Sequence, residues 1–184
     1  MKRVVTVSSL LILAAIALAQ QPEPPKQEAP KAESSIKNFF RINEQICTGG
    51  QPTMEELAQV KAKGVKAVIN LRMPSEFNAE EEATKAKELG LRYFHIPFDT
   101  NNPKDEAVDE FLKVVADKEN RPLFIHCTTA NRVGGFWMIR RVLVDGWTVE
   151  QAENEAKQIG LHNPKTRAFA LDYIARHLKK VSSQ

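Results

Sequence analysis

Apolar residues recur along residues 36–184 in two alternating patterns. Short apolar or alternating runs predict one or two strands in 40–48 and single strands at 65–71, 91–96 and 122–126. Apolar residues spaced by three and four predict helices at 54–63, 75–89, 104–117, 132–144, 148–159 and 164–180. This alternation predicts an α/β fold whose central sheet is mainly parallel and is flanked by helices on both faces.

Local residue patterns indicate where some of these helices begin and which of them is buried. Thr53 followed by Glu56 predicts a capping box at the first helix, and Ser75 is the expected N-cap of the second. The segment 132–144 is apolar on most sides, so we expect it to be the buried helix. Gly134 and Gly135 would let that helix approach the sheet closely.

The first 35 residues differ in pattern from the rest. A basic start, an apolar run from Val4 to Leu18 and small residues at Ala17 and Ala19 predict a signal peptide at 1–19, cleaved before Gln20. An uncleaved anchor is the open alternative. Residues 20–35 are rich in Pro and polar residues and predict a linker, which leaves 36–184 as one folded domain. The expected location is periplasmic or secreted, with no membrane attachment after cleavage.

Charge narrows the range of partners. The chain has 26 Lys and Arg against 23 Asp and Glu; without Lys2 and Arg3 the count is 24 against 23, so the mature charge is near +1. Since there is no basic run either, a nucleic-acid partner is not expected. The four histidines are scattered, and the acidic group Glu80-Glu81-Glu82 on a charged helix is expected to be solvated surface. No metal site and no cofactor are expected.

The segment 123–135 carries the candidate chemistry. An apolar strand ends at His126-Cys127, four small or polar residues follow, and Arg132 opens a helix. A thiol that faces backbone N–H groups and a helix N-terminus is stabilised as a thiolate beside an anion site. This arrangement suits a cysteine nucleophile that attacks a phosphate group.

These residues resemble the cysteine-dependent protein-tyrosine and dual-specificity phosphatases. The closer resemblance is to their small bacterial relatives, the beta-lactamase hydrolase-like phosphatase-like domain family. The motifs that carry it are Gly50-Gln51-Pro52, Ile69-Asn70-Leu71-Arg72 and the loop from His126 to Gly135. Two features depart from the well-studied phosphatases: four residues rather than five separate Cys127 from Arg132, and Ala130 stands where the family usually has Gly. If position 130 needs a positive φ, Ala carries a strain of about 1 kcal/mol there.

The resemblance implies a protein-tyrosine-phosphatase-like fold and a phosphatase that works through a cysteinyl-phosphate intermediate. Cys127 would attack phosphorus, and Asp99 would protonate the leaving group and then deprotonate the attacking water. The substrate would be a phosphorylated protein or a small phosphate ester. The residues expected to bind its phosphate are Arg132 with the backbone amides of Thr128, Thr129, Ala130 and Asn131.

Further residues each have two expected roles or an alternative to them. Arg72 ends a strand on the same edge, where it would bind substrate or pair with Glu76, and Gln51 would orient substrate or water. His126 would support the loop that begins at Cys127 and leads to Arg132, here called the cysteine loop, or be a core histidine. Asp105 is the alternative acid, although its expected position in the first turn of a helix suits a dipole partner better.

Other readings of the same residues stay open. A rhodanese-like sulfurtransferase would carry a persulfide on Cys127, and a non-catalytic phosphate-binding or redox-responsive module would keep the fold without turnover. In an oxidising compartment Cys47 and Cys127 could also form a disulfide that consumes the nucleophile. Alternatively, Cys47 points into the core and is inert.

Overall fold

The structure, a computed structural model, describes residues 34–182. The expected signal peptide and residues 20–33 of the expected linker therefore lie outside the described residues. The strands are β1 (Phe40–Asn43), β2 (Ile46–Gly49), β3 (Ala67–Asn70), β4 (Arg92–His95) and β5 (Leu123–His126). The α-helices are α1 (Met54–Ala62), α2 (Ala79–Glu88), α3 (Asp105–Ala116), α4 (Asn131–Leu143), α5 (Val149–Ile159) and α6 (Pro164–Ser182).

The strands form one sheet in the order β1-β2-β5-β3-β4. β1 pairs with β2 in antiparallel fashion, and the other three pairings are parallel. The expected mainly parallel sheet is therefore confirmed. Its central strand is β5, whose last residue His126 pairs with Gly49 on one side and Asn70 on the other. The loops that follow β2, β3, β4 and β5 consequently meet at one edge, where α/β proteins bind their ligands.

Helices cover both faces of the sheet. On one face, α1 and α2 enclose a cluster that includes Leu57, Ala86 and Phe124. On the other face, α3, α4, α5 and α6 enclose a larger cluster with Phe111, Phe136 and Ile159 among its members. Side chains that alternate along β5 point to the two faces in turn, because successive residues of a strand face opposite sides.

Helix boundaries follow local side-chain chemistry. The capping boxes of α1 and α5, at Thr53 and Thr148, are both present. The second helix was expected to begin after Ser75, and this prediction is wrong. Pro74–Glu76 is a short 3-10 helix, Phe77 has extended backbone, and Asn78 is the N-cap that accepts from the Glu81 N–H. Asn78 thus satisfies an N–H that otherwise lacks a partner in the first turn.

The buried helix is α4, as expected from its pattern: ten of its 13 residues are buried. The expected role of its glycines needs correction. A Cβ on Gly134 would lie 2.7 Å from the Ala156 carbonyl oxygen and 2.9 Å from Leu161 Cβ, and one on Gly135 would lie 2.6 Å from Thr166 Cγ2. The glycines therefore allow close packing of the segments around α5 and α6 against α4, rather than of α4 against the sheet.

Candidate active site

The loop after β5 places Cys127 at the meeting edge of the sheet. Cys127 is 1% exposed and its N–H donates to the Gly49 carbonyl at 3.4 Å. Thr129 forms an isolated bridge with Gly50, and the Gln51 N–H donates to the Thr128 carbonyl. The Gly-Gln-Pro loop and the cysteine loop are therefore joined by backbone hydrogen bonds, which fix the thiol against the end of the sheet.

Ala130 has a positive φ, which is the conformation in which an alanine is strained. Its φ is 61° and its ψ is 2°, in the left-handed region, and it is the N-cap of α4. An alanine there carries about 1–2 kcal/mol of strain relative to ordinary helical backbone. The conformation turns the chain from the cysteine loop into α4, so the helix N-terminus lies next to Cys127. Helix N-termini stabilise anions.

Arg132 is held by a carboxylate that the sequence did not single out for the site. Its Nη1 and Nη2 donate to the two carboxylate oxygens of Glu76, at 2.8 and 2.5 Å. Nη1 also donates to the Phe98 carbonyl at 3.2 Å, and Nη2 to the Thr128 hydroxyl at 3.0 Å. The terminal fork of the guanidinium is thereby fixed by Glu76.

Arg132 and Glu76 stabilise each other in their charged forms. Burial disfavours charged Arg132, but the hydrogen bond to Glu76 and the neighbouring Cys127 raise its pKa on balance. Partial burial also works against the charge of Glu76, yet the bonds from Arg132 and Thr128 and the charge of Arg72 lower its pKa from 4.5 to about 2. Glu76 is thus a carboxylate at any physiological pH.

A polar pocket of about 230 Å³ opens above the thiol. It brings together the three expected catalytic residues, Cys127, Arg132 and Asp99, although they come from two loops and the start of a helix. Asp99 is half-buried and its Oδ1 accepts from the Asn101 N–H at 2.8 Å. The other lining residues are Glu76, Thr100, Asn101, Thr129, Asn131, His162 and Asn163.

Asp105, the alternative acid, lies elsewhere. It is the first residue of α3 and its carboxylate makes two hydrogen bonds with Arg176, at 2.5 and 2.9 Å. It does not line the pocket of Cys127. The position of Asp105 agrees with the helix-start interpretation and leaves Asp99 as the carboxyl group on the β4–α3 loop beside the thiol.

Arg72 and Gln51 face each other instead of the pocket. The Nη1 of Arg72 donates to Gln51 Oε1 at 2.7 Å, and its Nη2 donates to the Glu76 carbonyl oxygen. The Arg72 Nε lies 3.5 Å from the Glu76 carboxylate. Of the two alternatives for Arg72, the structure has the pair with Glu76, and neither Arg72 nor Gln51 lines the pocket. Arg72 thus braces the loop that carries Glu76, and Gln51 holds Arg72 in place.

His126 is a fully buried residue in a polar network beneath the cysteine loop. Its Nε2 lies 2.8 Å from Oε1 of Glu82, whose carboxylate also accepts from Gln51 at 2.7 Å and Asn70 at 3.1 Å. Its Nδ1 has no hydrogen-bond partner among residues 34–182. Burial works against the charge of Glu82, but His126 and Gln51 lower its pKa on balance.

The burial of Glu82 overturns one expectation. Glu80 and Glu81 are exposed, as a solvated acidic face requires, but Glu82 is 1% exposed. A signal for this was present in the sequence: Glu82 lies four residues before Ala86, the other buried residue of α2, and residues four apart share a helix face. Buried charges need partners, and His126 supplies one here.

Cys47 is separated from Cys127 by the sheet itself. Cys47 pairs with Phe124 across β2 and β5 and belongs to the cluster under α1 and α2, whereas Cys127 belongs to the cluster on the other face. The two cysteines are not joined by a disulfide. The interpretation of Cys47 as a core residue agrees with this placement.

The described residues form neither a metal-binding cluster nor a membrane-spanning helix. Within residues 34–182, no group of three or more His, Cys, Asp or Glu is arranged to hold a metal ion. Across the same residues, every helix falls short of the length and apolar character needed to cross a membrane.

Comparisons with known proteins agree with the geometry. A family model for a "DSP-PTPase phosphatase fused to NAD+ Kinase" matches residues 27–170. The beta-lactamase hydrolase-like protein of Agrobacterium fabrum is 27% identical over 147 residues, which cover 78% of this chain and 32% of that protein. The chain thus spans about a third of the length of this relative.

Solved structures share the fold at low identity. The core catalytic domain of the PP-IP phosphatase SIW14 from S. cerevisiae, in complex with citrate, has a TM-score of 0.65 and 20% identity, over 80% of this chain and 92% of that one. P. aeruginosa TpbA in complex with pTyr has a TM-score of 0.60 and 20% identity, over 74% and 82% of the two chains. Both have the same phosphatase-like α/β architecture.

Proposed function

Because the chain belongs to the family of DSP-PTPase phosphatases fused to NAD+ kinase, we propose that it hydrolyses phosphate monoesters through a cysteinyl-phosphate intermediate. The observation that supports this proposal best is the shared pocket of Cys127, Arg132 and Asp99 at the N-terminus of α4. A nucleophile, a cation and a proton donor are the three groups that phosphoryl transfer to a thiol requires.

In the first step, the Cys127 thiolate attacks phosphorus and the ester oxygen leaves with the proton of Asp99. The N–H groups at the start of α4 and the Arg132 guanidinium face the growing charge on the equatorial oxygens. Because Glu76 fixes the Nη fork of Arg132, this cation is oriented before substrate arrives. Fixed charges of this kind need no reorganisation during the reaction.

In the second step, water attacks phosphorus from the side opposite the sulfur. The new P–O bond forms, the P–S bond breaks, the electron pair returns to the Cys127 thiolate, and the proton that the water loses passes to the Asp99 carboxylate, which the first step left unprotonated. Inorganic phosphate leaves the pocket, and the enzyme is ready for another substrate. The α4 N-terminus stabilises the thiolate as a leaving group, which lowers the barrier of this step.

The substrate class follows from the pocket and from the similar proteins. The pocket of about 230 Å³ is smaller than the ~300–1,000 Å³ of drug-sized ligand sites, so it fits a phosphate group with a short extension. SIW14 is a PP-IP phosphatase, and TpbA was solved with pTyr. Both names point to a phosphorylated ligand. We therefore propose that the substrate of this chain is a phosphorylated protein side chain or a phosphorylated small molecule.

The direct test is hydrolysis of p-nitrophenyl phosphate across pH. We expect turnover by the wild type and none by Cys127→Ser, because an alcohol in this place is a far weaker nucleophile than a thiolate. Cys47→Ser is the matched control and is expected to keep its activity, since Cys47 lies on the other face of the sheet.

Other outcomes favour the other readings. Sulfur transfer from thiosulfate to cyanide, without phosphate release, would identify a rhodanese-like enzyme. Binding of vanadate or sulfate with neither reaction would identify a non-catalytic module. Either result would overturn the phosphatase proposal.

We further propose that the protein is exported, on the basis of the basic start, apolar run and small-residue cleavage pattern of residues 1–19. The mass of the mature chain recovered from a bacterial expression host tests this. A chain that begins at Gln20 in the periplasmic fraction supports export, and a full-length chain in the cytosol contradicts it.

A further inference from the structure

The pocket above Cys127 is lined by polar side chains. Among the residues that the structure describes, every lining side chain other than the Cys127 thiol carries a carboxylate, hydroxyl, amide, guanidinium or imidazole group. Ligand sites in proteins are ordinarily lined mostly by hydrophobic and aromatic side chains, with a few polar groups among them. This pocket therefore offers hydrogen bonds, and little apolar contact, to the part of a substrate that extends beyond its phosphate.

The phenyl rings that are adjacent in sequence to pocket residues pack elsewhere. Phe98 is 1% exposed, and its ring lies against Phe136 with the centroids 4.8 Å apart. The ring of Phe77 lies edge-on against His95 at 5.4 Å. Neither Phe77 nor Phe98 lines the pocket. A phosphorylated phenol would consequently find neither ring to stack on.

Asn163, in the loop between α5 and α6, presents an amide nitrogen to a ligand. Its Oδ1 accepts from the backbone N–H groups of Lys165 and Thr166, at 2.8 and 3.4 Å, at the start of α6. Its Nδ2 has no hydrogen-bond partner among residues 34–182. Since Asn163 lines the pocket, this NH₂ group is a donor that is left for a bound molecule.

Asn101, in the loop between β4 and α3, is oriented in a similar way. Its Oδ1 accepts from the Lys165 Nζ at 2.8 Å, and its backbone N–H donates to Asp99 Oδ1 at 2.8 Å. Within the described part of the chain its Nδ2 makes no hydrogen bond. Asn101 is exposed and lines the pocket. The pocket thus has a second amide donor whose own oxygen is already occupied.

His162 supplies an acceptor beside these donors. Its Nδ1 lies 2.7 Å from the Gly160 carbonyl oxygen, which only accepts hydrogen bonds, so Nδ1 carries the hydrogen. In the neutral ring, Nε2 then has a lone pair. The hydroxyls of Thr100 and Thr129 line the same pocket and can each donate and accept. Together these groups match alcohol hydroxyls, which need both a donor and an acceptor.

Asn131 fixes part of this arrangement before a ligand arrives. Its Oδ1 accepts from the backbone N–H groups of His162 and Asn163, at 3.0 and 2.9 Å. Asn131 is 8% exposed, so these bonds are shielded from water. His162 and Asn163 therefore keep their places relative to the cysteine loop, which lowers the entropy cost of binding a ligand between them.

We propose that the substrate is the phosphate ester of a hydroxylated aliphatic molecule, a sugar or polyol phosphate. This inference rests on the proposed function and narrows its substrate class. The phosphate binds at Cys127 and Arg132, while the Nδ2 groups of Asn163 and Asn101 donate to hydroxyl oxygens of the ester group. The Nε2 of His162 accepts from one of its hydroxyls. Asn163 and Asn101 are thus specificity residues and take no part in the bond changes.

The first test compares sugar phosphates with analogues of the same shape that lack hydroxyls. Glucose 6-phosphate is paired with cyclohexylmethyl phosphate, and ribose 5-phosphate with tetrahydrofurfuryl phosphate; all four are esters of primary alcohols. We expect the wild type to have a kcat/KM about 10-fold higher for the sugar phosphate of at least one pair, which is the effect of one or two net hydrogen bonds. Phosphate release measures all four rates.

Asn163→Ser tests the residue that carries the preference. A serine hydroxyl still suits the N-cap of α6, but the amide donor is lost. The kcat/KM for the preferred sugar phosphate should fall to that of its analogue through a higher KM, with kcat little changed, as expected for a contact made equally in ground and transition states. Asn78→Ser is the matched control, because Asn78 caps α2 through Glu81 N–H and does not line the pocket. It should behave as wild type.

Calorimetry with Cys127→Ser compares ligands without the influence of the leaving group. The preferred sugar phosphate should bind about 10-fold more tightly than its analogue and than phosphotyrosine. Equal kcat/KM within both pairs, or tighter binding of a phosphotyrosine or phosphoserine peptide than of either sugar phosphate, would overturn the inference. Turnover of p-nitrophenyl phosphate by the wild type would in that case leave the proposed function intact. Absence of turnover of every phosphate ester would overturn both.

Discussion

At the residue scale, the site depends on one carboxylate that holds one guanidinium. Glu76 binds both Nη atoms of Arg132 and accepts from the Thr128 hydroxyl at 2.9 Å. Bidentate pairs of this kind fix the orientation of the cation as well as its charge. The fork geometry, rather than the positive charge, is therefore the property that a substitution of Arg132 should test.

We expect Arg132→Lys to lose about 10²-fold in kcat/KM for p-nitrophenyl phosphate, because one ammonium cannot bind Glu76 and face substrate at once. The free energy of unfolding, measured in urea, should fall by only about 1–2 kcal/mol, since the charge remains. Turnover equal to wild type would remove Arg132 from the catalytic groups.

The pH dependence of stability tests Glu76. Its pKa in the folded protein is about 2, below the ordinary 4.5, so its pair with Arg132 stabilises the fold above pH 4.5 and loses this effect as pH falls through 2. Because a third of the side chain is exposed to solvent, the effect should be about 1 kcal/mol. The difference in urea unfolding between wild type and Glu76→Gln should shrink from pH 5 towards pH 2. The exposed Glu81→Gln is the control, and a pH-independent difference would contradict the assignment.

Substitutions of Asp99 and of Asp105 are expected to have different effects. Asp99→Asn should flatten the alkaline limb of the pH–rate profile and slow phenyl phosphate more than p-nitrophenyl phosphate, because poor leaving groups need the proton most. Asp105→Asn should leave this profile unchanged and cost about 0.2–1 kcal/mol of stability through its exposed pair with Arg176. The reverse pattern would show that Asp105 is the acid.

At the element scale, the packing of α4 governs how the site is built. Its N-terminus faces the pocket while Gly134, in its first turn, meets the end of α5 and the residue Leu161. The glycine admits a backbone contact that any side chain would prevent. The α5–α6 loop lies beside the cysteine loop in the same region, since a Cβ on Gly160 would lie 3.0 Å from the Thr129 carbonyl oxygen.

Gly134→Ala should therefore destabilise the protein by about 2–3 kcal/mol, since its Cβ would lie 2.7 Å from a backbone oxygen that cannot turn aside. Gly146→Ala is the comparison: it has open space and a φ of 71°, so strain of about 1 kcal/mol is the expected cost. Urea unfolding measures both. Equal losses would show that close packing at α4 contributes nothing beyond backbone strain.

The elements were largely predictable from the sequence because periodicity and capping act locally. Thr53 and Thr148 mark helix starts by bonds within one turn, and Gly160 ends α5 in a conformation that glycine adopts readily. The start of α2 was not predictable in this way. Ser75 and Asn78 are both residue types that favour the N-cap position, and the choice between them depends on the extended backbone of Phe77.

At the scale of the whole molecule, chain order explains which site residues the sequence revealed. Cys127 and Asp99 follow parallel strands, and the carboxyl ends of such strands meet, so their proximity follows from topology. Glu76 and His162 lie on loops whose paths depend on tertiary contacts, with no periodic signal. Glu82 was mistaken for surface because a buried carboxylate needs a partner from elsewhere in the chain, and that partner, His126, is not local.

The sheet also separates the two thiols, and this predicts the response to oxidation. Mild peroxide should add oxygen to Cys127 without forming a bond to Cys47, because the two side chains belong to clusters on opposite faces. Intact-protein mass decides the outcome. A loss of two hydrogens that dithiothreitol reverses, in monomeric protein, would show that the chain rearranges far enough to form the disulfide.

The pocket begins where the central buried helix begins, since α4 has ten buried residues and its N-terminus faces Cys127. A ligand that binds there binds only the folded chain, so it must raise the melting temperature of the whole domain. The gain is about 2.7 kcal/mol at a ligand concentration of 100 times Kd. Thermal shifts of Cys127→Ser against a panel of phosphorylated metabolites and peptides would therefore rank physiological ligands without any turnover assay.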